Sequence, residues 1–152
     1  MTRGFSSIGL VRPKDKANVG SVLRAAHCYG SSLVAIQGDR TNLSSITDTS
    51  KAARHMPVLR GDDLFAMCPH LAVPVAVDLV DGAIPLPDFT HPESAFYVFG
   101  PEDGTLGSAH LLKCKYRVMI PTNICMNLAA TVNVVLYDRM AKQMAKNVRI
   151  AA

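Results

Sequence analysis

The stretch 96-FYVFGPEDGTLG-107 decides the fold. It opens as a short apolar run with no polar alternation, which is the pattern of a strand buried on both faces. It then breaks into a loop holding three glycines, a proline and two acids. Turn chemistry accounts for the glycines and the proline. It does not account for Glu102, a carboxylate placed two residues after the first glycine.

Outward from this stretch, the same reading repeats. Residues 6–13 (SSIGLVRP), 32–38 (SLVAIQG), 57–60 (PVLR), 73–80 (VPVAVDLV) and 116–121 (YRVMIP) are predicted strands. Between them, residues 18–30 (NVGSVLRAAHCYG) predict a helix, with Asn18 as N-cap, Val19, Val22, Leu23 and Ala26 at 3-and-4 spacing, and Gly30 as the stop. Residues 43–55 are expected to be helical in part. Residues 62–68 and 108–114 predict short helices. The three prolines of residues 82–93 exclude an α-helix and make that segment a loop. From Asn127 to Lys146 there is no Pro or Gly, which predicts one long helix.

Strands that alternate with helices and are apolar on both faces predict an α/β fold with a largely parallel sheet flanked by helices. The 152 residues fit one domain spanning the whole chain. Ligands of such sheets bind beyond the strand C-termini. Three loops of unusual composition leave strands there: 13–20, 100–107 and 121–127.

Composition narrows the function. No apolar run reaches the roughly 18 residues of a membrane span, and the N-terminus carries no signal-peptide pattern, so a cytoplasmic protein is expected. Cys28, Cys68, Cys114 and Cys125 form no CxxC pair and read as reduced core residues. The five histidines are scattered, and no metal site is expected. The net charge of +4 is compatible with an RNA partner. The first strand-to-helix turn lacks the G-x-G-x-x-G of dinucleotide folds, and neither a P-loop nor a G-x-S-x-G elbow occurs. A nucleotide-binding oxidoreductase is therefore disfavoured. Taken alone, Asn18 reads as a helix cap, Arg24 as a snorkelling arginine on an apolar helix, and Glu102 as an exposed turn acid.

Together, NVGSVLRAAHCYG, FGPEDGTLG and IPTNICMNLAATVNVVLYDR resemble, in order and spacing, the three motifs of the SpoU/TrmH family of SPOUT-class methyltransferases, and most of all its short TrmL-type members. The resemblance implies a deep trefoil knot at the C-terminus, S-adenosylmethionine (SAM) as cofactor, a homodimer, and methylation of a ribose 2'-hydroxyl of RNA. For members this short it implies tRNA as substrate. An rRNA substrate, or an RNA- or SAM-binding module without catalysis, stays open.

Carried over position by position, the resemblance implies catalytic roles for Asn18, Arg24, Glu102 and Asn127, with Arg24 also contacting RNA phosphate. It implies cofactor contacts from Phe99, Gly100, Gly104, Ile120, Cys125, Met126 and Leu128, and from Val77, Asp78 and Leu79 at the end of the fourth strand. Gly100 and Gly104 are expected to adopt dihedrals open only to glycine, and Glu102 to hold both Asn18 and Arg24. Tyr137 matches an aromatic position on the dimer-forming helix. Lys14 and Lys16 flank the first motif and are expected to touch RNA phosphates. Arg139, Lys142, Lys146 and Arg149 share one helical face, read either as solvated or as a second RNA contact. Two features depart from the family: Cys125 stands where a serine is usual, and the third-motif loop is short.

Overall fold

Apolar runs rich in Val, Ile and Phe become strands here because both faces of the sheet are covered. The computed structural model describes residues 3–46 and 51–151. Its strands are β1 (Ser6–Val11), β2 (Val34–Gln37), β3 (Val58–Gly61), β4 (Val73–Val77), β5 (Ile84–Pro85), β6 (Ala95–Phe99) and β7 (Tyr116–Met119). They form one sheet in the order β3-β2-β1-β6-β4-β7-β5. Every pairing is parallel. Every residue of β1 and of β6 is buried, as expected of central strands in a doubly covered sheet.

Helix α1 (Lys16–Cys28) and the long helix α3 (Leu128–Ala151) pack together over one face. The other face buries Phe96, Val98, Ala76 and Leu64 under the segment that includes the short helix α2 (Ser108–Leu111). Because all strands run parallel, the loops after β1, β4, β6 and β7 leave from the same sheet edge.

The structure corrects several boundaries. Asp15, not Asn18, caps α1: its carboxylate accepts from the N–H groups of Ala17 (2.7 Å) and Asn18 (3.0 Å). Residues 62–68 form only a 3-10 turn at Phe65–Met67. Pro69 forces Cys68 into an extended conformation and ends it there. Residues 82–93 hold β5 and a 3-10 turn at Leu86–Asp88. An edge strand tolerates proline because one of its sides needs no ladder donor. Of residues 43–55, Leu43–Ser45 and Ala52–Arg54 form 3-10 turns; residues 47–50 lie outside the described residues. Helix α2 stops at Leu111, short of 114, and α3 continues past Lys146 to Ala151. Gly30 does end α1, with φ +67.

The basic face of α3 divides: Lys146 and Arg149 are exposed, whereas Arg139 and Lys142 are structural. Arg139 is buried, 5% exposed, and donates to the carbonyls of Pro92, Glu93 and Phe5 and to the Tyr97 hydroxyl. Lys142 donates to the carbonyls of Leu86 and Phe89 and pairs with Asp138 at 2.7 Å. Both bind the chain before β6 to the helix.

His91 completes this cluster. Its Nδ1 lies 2.6 Å from the Tyr97 hydroxyl and its Nε2 lies 2.8 Å from Asp138 Oδ2. A neutral imidazole satisfies every atom: Tyr97 O–H donates to Nδ1, and Nε2–H donates to Asp138. Burial pushes the His91 pKa below its ordinary 6.5 and outweighs the opposing pull of Asp138. Burial also lifts the Tyr97 phenol to about 12. A depressed histidine binds fewer protons folded than unfolded, so stability is full above pH 6.5 and falls as the pH drops below it. His91→Phe should remove that loss: its urea midpoint should vary less than wild type between pH 7 and pH 5. An equal slope in both proteins would show that His91 is not the titrating group.

Candidate functional site

The three motif loops meet at the C-terminal edge of the sheet through a chain of directed hydrogen bonds. Asn127 caps α3: its Oδ1 accepts from Ala129 N–H (2.9 Å) and Ala130 N–H (3.2 Å). That fixes its amide, so Nδ2 donates to Asn18 Oδ1 at 2.8 Å. Asn18 in turn donates from Nδ2 to Glu102 Oε1 at 3.3 Å. The same carboxylate accepts from the backbone N–H of Lys14 (2.8 Å) and Asp15 (3.1 Å). A donor relay thus runs from the α3 N-terminus to Glu102, each link polarising the next. Because Asp15 caps α1, the Asn18 side chain is left available for this relay.

Beside the relay lies a cleft of about 110 Å³. Val77, Asp78 and Leu79 form one wall, Phe99, Gly100 and Gly104 the second, and Ile120, Cys125, Met126 and Leu128 the third. All ten residues expected around a cofactor therefore line one cavity, with Glu102 on its rim. Pro101, Thr122 and Thr131 line it as well; they sit within the second and third motifs and carry no separate signal.

Asp78 closes the cleft from β4. Its Oδ2 accepts from Leu106 N–H at 2.9 Å and its Oδ1 from Leu79 N–H at 2.8 Å. This return of the chain explains Gly100: a Cβ there would stand 3.2 Å from the Leu106 nitrogen. The expected glycine-only dihedrals are not found at Gly100 or Gly104. Gly107 has the positive φ instead, +76.

Cys125 is exposed at the cleft and Cys28 is exposed on α1, so neither is the core residue expected. A hydroxyl is smaller than the thiol and a better donor, so Cys125→Ser should hold activity within about threefold of wild type. A larger loss, read by methyl transfer at saturating substrate, would mean the thiol has a function of its own.

The cations divide. Lys14 and Lys16 are exposed beside the relay. Arg24 is exposed on α1 and does not line the cleft; the Glu102 oxygens accept from the 14–15 backbone and from Asn18. Sequence reasoning missed Arg40, in the loop after β2. It forks onto Asp103, with Nη2–Oδ2 at 2.7 Å and Nη1–Oδ1 at 3.1 Å. The guanidinium holds the Asp103 carboxyl down to about 2. On α3, Tyr137 is 57% exposed, and Val134, Met144 and Val148 extend an exposed apolar stripe from it.

A family model described as the SpoU rRNA Methylase family matches residues 6–137. Among solved structures, the chain is similar to the SpoU methyltransferase AviRb from Streptomyces viridochromogenes in complex with the cofactor AdoMet. The identity is 20% and the TM-score 0.82, over 95% of this chain and 60% of that one. It is similar to an AdoMet-bound rRNA methyltransferase from Sinorhizobium meliloti, with 21% identity, a TM-score of 0.80, and 92% and 57% of the two chains covered. A third structure, described as giving insights into the 2-OH methylation of C/U34 on tRNA, shares 22% identity and a TM-score of 0.79, covering 95% of this chain and 94% of that one. At these identities the likeness is one of fold. The chain spans about three fifths of the length of the first solved structures it matches. A search of curated proteins finds no match.

Proposed function

This chain belongs to the SpoU rRNA Methylase family, and from that premise we propose that it transfers a methyl group from SAM to a ribose 2'-hydroxyl of tRNA. One observation carries the reading. The polar residues of three distant motifs converge, through Asn127, Asn18 and Glu102, on the rim of a cleft at the sheet edge where such folds take ligands. The match in length to the structure concerned with tRNA supports tRNA over rRNA.

The residues present fit the cofactor. Val77, Phe99, Ile120, Met126 and Leu128 offer apolar walls to an adenosine and a methylene chain. Asp78 and Glu102 place two carboxylates on the cleft, which suits a ligand bearing a sulfonium and an ammonium. The bound group would supply the electrophilic methyl.

The protein must then align a ribose oxygen with that methyl and ease the departure of its proton. A guanidinium stays protonated at working pH, so Arg24 is no base. It anchors the adjacent phosphate and polarises the hydroxyl, and the proton leaves to a phosphate oxygen or water. Lys14 and Lys16 hold backbone phosphates without reading sequence.

The strand order supports a threaded C-terminus. The 78–83 connection joins β4 to β5 early in the chain, and β7, which comes later, lies between them. The apolar stripe around Tyr137 supports a homodimer; a monomer by light scattering at working concentration would contradict it. The four free cysteines fit a cytoplasmic setting.

The test is transfer of labelled methyl from SAM to total tRNA and, separately, to rRNA. Transfer to tRNA that survives digestion as a 2'-O-methylnucleotide supports the reading. No transfer to either pool, with SAM bound normally, would favour a non-catalytic binding module.

A further inference from the structure

Glu102 and Asp103 are adjacent acids whose side chains diverge, yet both tie the same two loops. Glu102 takes the backbone N–H groups of Lys14 and Asp15. Asp103 takes the Arg40 fork, and Arg40 Nη1 also donates to the Arg12 carbonyl at 3.2 Å. The chain from Arg12 to Asp15 is therefore fastened to the 100–107 loop at both ends.

We infer that Arg40 is a positioning residue for the proposed methyl-transfer site, holding the Glu102 loop against the loop of Lys14 and Asn18. The inference rests on that reading of function. An isolated surface ion pair is worth little, because two long side chains lose freedom to form it. Arg40 differs in two ways. Its contact is a bidentate fork, the geometry in which such pairs are strong. Its own loop is already fixed: Thr41 is buried and donates to the Pro13 carbonyl at 2.6 Å, Arg60 donates to the Thr41 carbonyl, and Gly38 N–H donates to the Gly61 carbonyl at 3.1 Å. The guanidinium is thus presented from a rigid base.

Charge gives Arg40 a second task. Lys14 Nζ lies 3.8 Å from Asp103 Oδ2. Arg40 and Lys14 thus share Asp103, and because Arg40 takes the shorter contact, 2.7 Å, Lys14 is held loosely enough to turn to a phosphate. Without Arg40, Asp103 draws Lys14 onto itself.

The test is a double-mutant cycle of Arg40→Ala and Asp103→Asn. In ligand-free protein, hydrogen exchange at the Lys14 and Asp15 amides should quicken by about tenfold in either single variant. The double variant should be no faster than the singles, since both remove one contact. SAM affinity and RNA KM should weaken by about tenfold, with kcat at saturation changing less than threefold. Arg40→Lys, which keeps the charge and loses the fork, should fall between, and it stands in should Arg40→Ala fail to fold. Additive effects, or unchanged exchange at those two amides, would overturn the inference. A wild-type protein that binds no SAM would sink the reading of function instead, and ligand-free exchange would still decide whether the clamp exists.

Discussion

Arg24→Ala should lower methyl transfer by about 10²–10³-fold, the usual cost of removing one positioned charge from a reacting site, while SAM affinity stays within about threefold. The split follows from where Arg24 stands. It is exposed on α1 and absent from the cleft wall, whereas the same helix reaches the relay only at Asn18. Its neighbours Leu23, Ala25 and Ala26 are buried against the core, so the helix keeps its place without the guanidinium. The loss should appear in transfer to RNA, not in isothermal titration of SAM. Arg24→Lys keeps a charge but loses the planar fork that suits a phosphate, so it should recover only part of the rate. A drop in SAM affinity as large as the drop in transfer would make Arg24 a cofactor ligand and refute the assigned role.

The parallel sheet was legible because its cause is local. Strands covered on both faces are largely apolar, and β6 throughout and β1 from Ile8 onward show that in their own residues. The cleft was legible because residues of the second and third motifs carry two of its walls, and all ten expected residues line that one cavity. What escaped depends on partners far away in the chain. Arg40 sits in a polar loop with no pattern, and its partner Asp103 is 63 positions on. Arg139 follows the same 3-and-4 spacing as a solvated arginine. Only the carbonyls of Phe5, Pro92 and Glu93, which no helical period encodes, decide that it is buried. The cap of α1 was read at Asn18, three residues late, because Asn is as good a cap as the Asp15 that takes the place. The tertiary demand for Asn18 in the relay goes with the earlier choice. The unusual dihedrals expected of Gly100 are absent; it makes room for Leu106.

Arg139→Met should destabilise the fold by about 3 kcal/mol, the cost of leaving two or more buried acceptors without a donor. For a chain of this length that lowers Tm by roughly 10 °C. The size follows from what is left behind. Arg139 serves the carbonyls of Pro92 at 2.7 Å, Glu93 at 2.6 Å and Phe5 at 3.3 Å, and the Tyr97 hydroxyl at 3.2 Å. A methionine of similar length fills the space and supplies no donor, so the carbonyls of Pro92 and Glu93 lose their partner, while Phe5 keeps Ala95 N–H and Tyr97 keeps His91. These acceptors are also not scattered. Phe5 leads into β1, Glu93 leads towards β6, and Ala95 N–H donates to the Phe5 carbonyl at 3.0 Å. One side chain therefore fastens α3 to the N-terminal ends of the two central strands. Arg139 lies eleven residues along the helix from Leu128, about 16 Å at helical rise, so the cleft is built at the other end. Well below Tm, the variant should bind SAM as wild type does. A melting shift under about 2 °C would mean that water or Lys142 replaces the lost donors, and that the buried arginine sets the register of α3 more than its stability.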